Sequence, residues 1–202
     1  MLSTFFSILL LGVAVSRAQD DCEPVPPHLQ QGGPCCNFPD MKAGMNGDMH
    51  TAMHKCREEA GFKKPDGPPG AGSPPPKPDE AAIECMEECA FKEMNLIGSD
   101  GKIIQDASKT LILAPFTGDF AAPAAAAFDK CYASSKAAGD SAVSSCKSGA
   151  SKLKKCLHRE VYLNCPSSQW TESEACTQAK DKLNRCPDLM PPMGRGPRHH
   201  KH

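Results

Sequence analysis

Residues 84–103 read ECMEECAFKEMNLIGSDGKI, and this stretch decides the fold class. Apolar side chains in it and just before it recur at helical intervals, at Ile83, Met86, Ala90, Met94 and Ile97. Cys85 and Cys89 are four residues apart, so they lie beside that stripe on one face of a helix. Residues 98–101 (GSDG) then form a turn. The stretch predicts an amphipathic helix whose cysteines attach it to other parts of the chain.

Similar helical patterns, separated by proline and glycine, fill most of the remaining chain. The predicted helices are residues 40–60, 79–97, 103–113, 123–139, 140–165 and 171–186. No alternating pattern of useful length indicates a strand. The sequence therefore predicts an all-α, disulfide-linked bundle of about six or seven helices.

An apolar run, residues 5–15, lies near the N-terminus and ends at residues 16–18 (SRA). It is shorter than the about 20 residues that cross a bilayer. The small side chains of Ser16 and Ala18 fit a signal-peptidase site. We therefore expect residues 1–18 to be a signal peptide and the mature protein to be secreted and extracellular. No later apolar run reaches spanning length, so no membrane anchor is expected.

Charge and composition narrow the class of protein further. Lys and Arg number 23 against 24 Asp and Glu, a net charge of -1, and nucleic-acid binders normally show a basic excess. Aromatic residues are only 5% of the chain, so a core held by hydrophobic burial alone is not expected. The 12 cysteines are an even number in an oxidising compartment, which predicts six disulfides.

The spacing of these cysteines is the most specific feature of the sequence. It includes a C-x3-C pair, a C-x8-C pair and a proline directly after the latter, formed by Cys85, Cys89, Cys156, Cys165 and Pro166. Together with the helix text of residues 84–103, this pattern resembles the insect odorant-binding proteins, and within them the Plus-C class. The resemblance covers roughly residues 36–186.

The resemblance implies a compact bundle of about six helices around an apolar ligand cavity. It also implies core disulfides that join the first cysteine to the third, the second to the fifth and the fourth to the sixth. Carried onto this chain, these bridges are Cys56–Cys89, Cys85–Cys156 and Cys131–Cys165.

Six cysteines remain outside that core: Cys22, Cys35, Cys36, Cys146, Cys176 and Cys186. Adjacent Cys35 and Cys36 are not expected to bridge each other. Cys176 and Cys186 are separated by about 15 Å along one predicted helix, whereas a disulfide needs Cα atoms closer than about 7 Å. Most of the 15 pairings stay open, but all that survive attach the last helix to other parts of the chain.

The same resemblance implies a secreted carrier of small hydrophobic molecules such as odorants or pheromones, acting in sensillum lymph. Its implied partners are that ligand and a chemosensory receptor, and the protein is either a monomer or a homodimer. We expect a single helical ligand-binding domain at 19–186, with a Pro-rich loop at 65–78 and a disordered tail at 187–202.

Candidate pocket residues follow from their positions on helix faces. Methionine is common among them because its flexible thioether suits both core packing and a promiscuous apolar pocket. The candidate lining residues are Met49, Met53, Ile83, Met86, Met94, Leu111, Phe116, Phe128, Leu153 and Leu157.

Other classes of function are less favoured. The sequence lacks the G-x-S-x-G and H-E-x-x-H motifs, and no His-Asp pair follows Cys35 and Cys36 as in secreted phospholipases, so no enzyme is predicted. His50 and His54 share a helix face, but no third metal ligand is evident, so neither a metal nor a cofactor is expected. The alternative is a disulfide-rich interaction protein or protease inhibitor that uses the loop at 65–78.

Overall fold

The computed structural model describes Cys22 and residues 35–40, 47–62, 79–138 and 145–191. Three predictions lie wholly or mainly outside these residues: the signal peptide at 1–18, the Pro-rich loop at 65–78 and the disordered tail, of which only residues 187–191 are described.

The described residues form six α-helices and no named strand, which confirms the all-α prediction. The helices are α1 Gly47–Glu59, α2 Glu80–Glu93, α3 Gln105–Leu113, α4 Ala121–Ala138, α5 Ala150–Leu163 and α6 Glu174–Arg185. Short 3-10 turns at Gly118–Phe120 and Ser167–Gln169 precede α4 and follow α5.

The helix predicted at 79–97 forms, but it is shorter and spans Glu80–Glu93. It begins after Asp79, whose side chain makes no capping hydrogen bond, and ends at Met94 and Asn95, the latter at φ 57°. The predicted turn follows, closed by a bridge between Ile97 and Ile103. Local pattern therefore located α2, but the helix ends four residues before the predicted end at Ile97.

Helix α5 was predicted to begin at residue 140 but begins at Ala150, and the described residues 145–149 before it are not helical. Gly149 directly before it is in the left-handed region at φ 80°, and a Cβ added there would lie 2.7 Å from the carbonyl oxygen of Ser135. A left-handed residue interrupts a helix, so Cys146 lies on the connecting segment instead of on α5.

The last helix, predicted to begin at residue 171, begins at Glu174. Ser173 is the N-cap, and its hydroxyl oxygen accepts a hydrogen bond from the backbone N–H of Cys176 at 3.2 Å. A turn in which the N–H of Leu189 donates to the carbonyl of Cys186 follows α6. The ordered chain thus continues past the predicted start of the tail.

Two compact units make up the described chain. One is residues 36–170, with helices α1 to α5; the other combines the described residues up to Cys35 with those from Thr171 onward. Each disulfide lies within one unit. A single ligand-binding domain at 19–186 stays a prediction.

Within the larger unit the most extensive helix interface joins α4 and α5. Helix α1 packs on α2, α2 on α5, and α3 on α4. Phe128, Cys131, Leu153 and Val161 are fully buried, and burial of a side chain of this size contributes about 1.5–3 kcal/mol. The core of this unit is therefore centred on α4 and α5.

Two of the three predicted core disulfides are wrong. Cys56–Cys89 forms as expected, but Cys85 pairs with Cys146 and Cys131 pairs with Cys156, so neither Cys85–Cys156 nor Cys131–Cys165 exists. The family joins the first core cysteine to the third, the second to the fifth and the fourth to the sixth. The observed bridges keep that order if Cys146 and Cys156, instead of Cys156 and Cys165, are the fifth and sixth core cysteines. The physical reason is that Cys156 lies on α5, which packs on α4, whereas Cys165 lies beyond the end of α5.

Neither of the two bridges excluded from the sequence, Cys35–Cys36 and Cys176–Cys186, is formed. Cys35 and Cys36 have different partners, Cys176 and Cys165. Cys186 pairs with Cys22, so α6 is bridged twice to the N-terminal segment. All 12 cysteines are thereby in disulfides, as predicted.

Candidate ligand-binding site

Four of the ten predicted lining residues belong to the packed core of the larger unit. Phe116 and Leu157 are 7% and 5% exposed, and Phe128 and Leu153 are 0% exposed. Water therefore cannot reach any surface of Phe128 or Leu153, so a ligand that contacts them must first displace neighbouring side chains.

The other six are half-buried. They are Met49 and Met53 on α1, Ile83 and Met86 on α2, Met94 at the end of α2, and Leu111 on α3. Helices α1 and α2 pack on each other, whereas α3 packs on α4. The structure therefore places the first five on one helix pair and Leu111 on a different helix, α3. Whether any of the ten residues contacts a ligand stays a prediction.

The face that α2 turns to α5 is acidic, which the sequence reasoning missed. Glu84, Glu87 and Glu88 are all less than 9% exposed. Lys154 on α5 donates to Glu87 at 2.6 Å, across the interface. The helical period of α2 indicates that these glutamates lie next to its apolar stripe. It does not indicate that they are buried, because a buried carboxylate needs a partner such as Lys154.

Glu88 is held by two donors. Lys92 Nζ lies 2.6 Å from Oε1, and the backbone N–H of Ser148 donates to Oε2 at 2.8 Å. Burial by itself would raise the pKa of Glu88, but these hydrogen bonds outweigh it, and the pKa falls below its ordinary 4.5. The carboxylate is thus ionised and anchors the segment before α5 to α2.

A shallow depression lies at the same place. Its lining includes Glu84, Cys146, Ser148 and Lys152, with space for about one water molecule. None of the ten predicted lining residues contributes to it. It has room for only about one water molecule, so it does not suit an apolar ligand.

An aromatic cluster around Phe38 was also missed. The ring centroid of Phe38 lies 5.3 Å from that of His158, 6.1 Å from Phe120 and 6.4 Å from Tyr162. Tyr162 in turn meets Trp170 edge-on at 5.6 Å. Phe38 follows Cys36 by two residues, but its partners depend on the bridge from Cys36 to Cys165, which spacing does not reveal.

Burial changes the acid–base behaviour of this cluster. Desolvation, with a smaller contribution from the charge of Lys154, lowers the pKa of His158 below 6.5. Burial raises the pKa of Tyr162 above 10.0. Among the described residues, neither the Tyr162 hydroxyl nor that of Ser108 on α3 has a hydrogen-bond partner.

One group of potential metal-ligating atoms is readily explained without a metal. Cys56, Glu59 and Cys89 bring two sulfurs and a carboxylate together. The two sulfurs are joined in a disulfide, so neither is the thiolate that a metal ion needs.

None of the helices among the described residues has the length and apolar content that crossing a membrane requires. The described residues form short α-helices held by six disulfides, two of which, Cys56–Cys89 and Cys131–Cys156, join one helix to another. This architecture defines the class: a disulfide-braced helical protein with an apolar core.

Comparison with known proteins identifies the family. A sequence model of the PBP/GOBP family matches residues 40–160, and the chain belongs to that family. It is 28% identical over 160 residues to General odorant-binding protein 67 of Anopheles gambiae, covering 75% of this chain and 71% of the mosquito protein. No solved structure matches. Twelve cysteines in six disulfides fit the Plus-C type, so the resemblance is confirmed.

Proposed function

We propose that this protein is a secreted carrier of small hydrophobic molecules, of the odorant, pheromone or related semiochemical class. Membership of the PBP/GOBP family, whose members bind and carry small molecules, supports a carrier role. The observation that carries the proposal is the apolar surface of α1 and α2, which core packing does not bury completely. Met49, Met53, Ile83 and Met86 retain part of their surface there.

Binding at this surface is driven by the removal of apolar area from water. Each Å² of apolar surface buried contributes about 25 cal/mol. The methionine side chains adapt to different ligand shapes because their thioethers are flexible and polarizable. We therefore expect a broad preference for uncharged apolar molecules, at about micromolar strength.

Displacement of a fluorescent apolar probe tests the proposal. The oxidised protein should enhance the probe's fluorescence at micromolar concentration, and a terpenoid, aromatic or fatty ligand should reverse the enhancement. Met86→Gln should weaken probe binding about tenfold, because it places an amide in the apolar surface. Met190→Gln is the matched control, since Met190 is 40% exposed and lies after α6.

A protein that enhances no probe and responds to no ligand would refute the carrier proposal. That result would favour the alternative, a disulfide-rich interaction protein or inhibitor. Equal loss in Met86→Gln and Met190→Gln would place the site elsewhere while leaving the carrier role intact.

The proposal extends to secretion, and to delivery of the ligand through sensillum lymph to a chemosensory receptor. Cleavage after Ala18 is its first requirement. N-terminal sequencing of the protein recovered from the medium of insect cells should begin at Gln19, and retention of residues 1–18 would contradict secretion by this route.

A further inference from the structure

Two histidines lie one helical turn apart on the exposed side of α1. The ring centroids of His50 and His54 are 6.4 Å apart, and the ring planes differ by 35°. Both residues are exposed. Histidines at i and i+4 on one helix face are the spacing at which two imidazoles reach one metal ion.

The structure adds a third group that the sequence reasoning did not recognise. Oε1 of Glu58, a further turn along α1, lies 3.4 Å from Nδ1 of His54. A carboxylate at that nitrogen favours the tautomer in which Nδ1 carries the proton. The other ring nitrogen, Nε2, is then left with its lone pair for a metal.

We propose that His50 and His54 bind one divalent transition-metal ion through their imidazoles, with Glu58 as the positioning residue for His54. Zn²⁺, Ni²⁺ and Cu²⁺ are the ions that imidazole suits. At metal–nitrogen distances of about 2.0–2.1 Å, the two rings of such a pair lie roughly 5 Å apart. The observed rings must therefore approach by roughly 1.5 Å, which exposed side chains achieve by rotation about their own bonds.

Competing ligands are restricted, and each can be controlled. All 12 cysteines are in disulfides, so no thiolate competes for the ion. His158 packs against Phe38 in the aromatic cluster. The other four histidines are His28, His199, His200 and His202, which lie outside the described residues.

Calorimetric titration with Ni²⁺ tests the site in the full chain. The background variant carries His28→Gln, His199→Gln, His200→Gln and His202→Gln. It should bind one Ni²⁺ ion per chain, and its affinity at the His50–His54 site should be at most threefold lower than that of the natural chain. Adding His50→Gln or His54→Gln should weaken that binding by more than tenfold, because each change removes one of the two protein ligands.

Glu58 needs a separate readout because it acts through His54. Glu58→Gln should weaken Ni²⁺ binding by about tenfold, the lower end of the effect of losing an outer carboxylate. The imidazole ¹⁵N shifts of metal-free Glu58→Gln should show a smaller Nδ1–H population at His54. Glu59→Gln, one residue along the same helix, is the matched control and should change neither quantity.

The proposal is overturned if the background variant binds no Ni²⁺, because all binding then belongs to the four removed histidines. Unchanged affinity after His50→Gln and His54→Gln overturns it as well. An unchanged His54 tautomer in Glu58→Gln refutes the positioning role. Far-UV circular dichroism checks that each variant keeps its helices, as expected for the exposed His50, His54 and Glu58. Ligand displacement is not used as a readout, so failure here is distinct from failure of the carrier proposal.

Discussion

Cys165 is bridged to Cys36, with Cα atoms 6.0 Å apart. Asn37, which follows Cys36, donates its backbone N–H to the carbonyl of Gln169 at 2.9 Å. That disulfide and that hydrogen bond hold Cys36 and Asn37 beside the segment after α5, and Phe38 then lies against His158 and Tyr162. Cys165 is thus a structural partner of the chain before α1 and is not a member of the interlocked core.

The first prediction concerns that disulfide arrangement. Peptide mapping of the non-reduced protein should recover Cys36–Cys165, Cys85–Cys146 and Cys131–Cys156, because each pair lies at bonding distance in the fold. Recovery of Cys131–Cys165 or Cys85–Cys156 would instead restore the arrangement expected from family spacing and contradict the fold described here.

A second prediction separates core from candidate site. Leu153→Ala should lower the free energy of unfolding by about 2–5 kcal/mol, because it leaves a cavity between α4 and α5. Met86→Ala should cost only about 1 kcal/mol, since Met86 is half-buried. Urea unfolding of the oxidised variants measures both. Equal costs would mean that Met86 is as much a core residue as Leu153.

The third prediction concerns stability near neutral pH. The pKa of His158 is lowered by burial in the folded protein, so the unfolded chain takes up a proton first as the pH falls. The lowered pKa of His158 therefore favours the folded state above pH 6.5. This contribution is progressively lost as the pH falls from 6.5 to the folded-state pKa. His158→Gln should therefore show a smaller decline in thermal stability between pH 7 and pH 5 than the natural protein. Parallel declines in the two proteins would exclude His158 as the cause.

A fourth prediction concerns acid stability. The pKa of Glu88 is below 4.5 in the fold, so its stabilising effect is present above that value and is lost as the pH falls through the folded-state pKa. At pH 7, Glu88→Gln should lower the free energy of unfolding by about 1.5–3 kcal/mol, the usual contribution of a hydrogen bond to a charged group. The difference should shrink below pH 4.5.

Glu93→Gln provides the control for Glu88. Glu93 forms an ion pair with Lys55 at 2.8 Å, but both side chains are well exposed. Its loss should cost less than about 1 kcal/mol. A Glu88→Gln variant as stable as Glu93→Gln at pH 7 would show that the link from Glu88 to Ser148 contributes little.

The positions of helices were largely predictable because they depend on neighbours in sequence. The stripe from Ile83 to Met94 placed α2, and Gly61, at φ 76°, follows the end of α1 as expected for a helix stop. The start of α5 was not predictable in the same way. Gly149 adopts its left-handed backbone where Ser135 of another helix lies close, and a pattern search along the chain does not include that contact.

The candidate site was predictable only in part. Helix periodicity correctly indicated apolar faces, but it could not separate Leu153, which is fully buried, from Met86, which is not. That difference depends on which helix packs on which. The buried glutamates were missed for the same reason, because Glu87 is compensated by Lys154, which is 67 residues away in the chain.

The sequence by itself determined the all-α class, the need for six disulfides and the family, since composition, helical period and cysteine spacing are properties of the linear chain. Only the tertiary structure decided that Cys146 and Cys156, and not Cys165, complete the interlocked core. A disulfide requires Cα atoms within about 7 Å. Which cysteines meet that condition depends on how α4 and α5 pack and on where α5 begins, and spacing along the chain does not contain either distance.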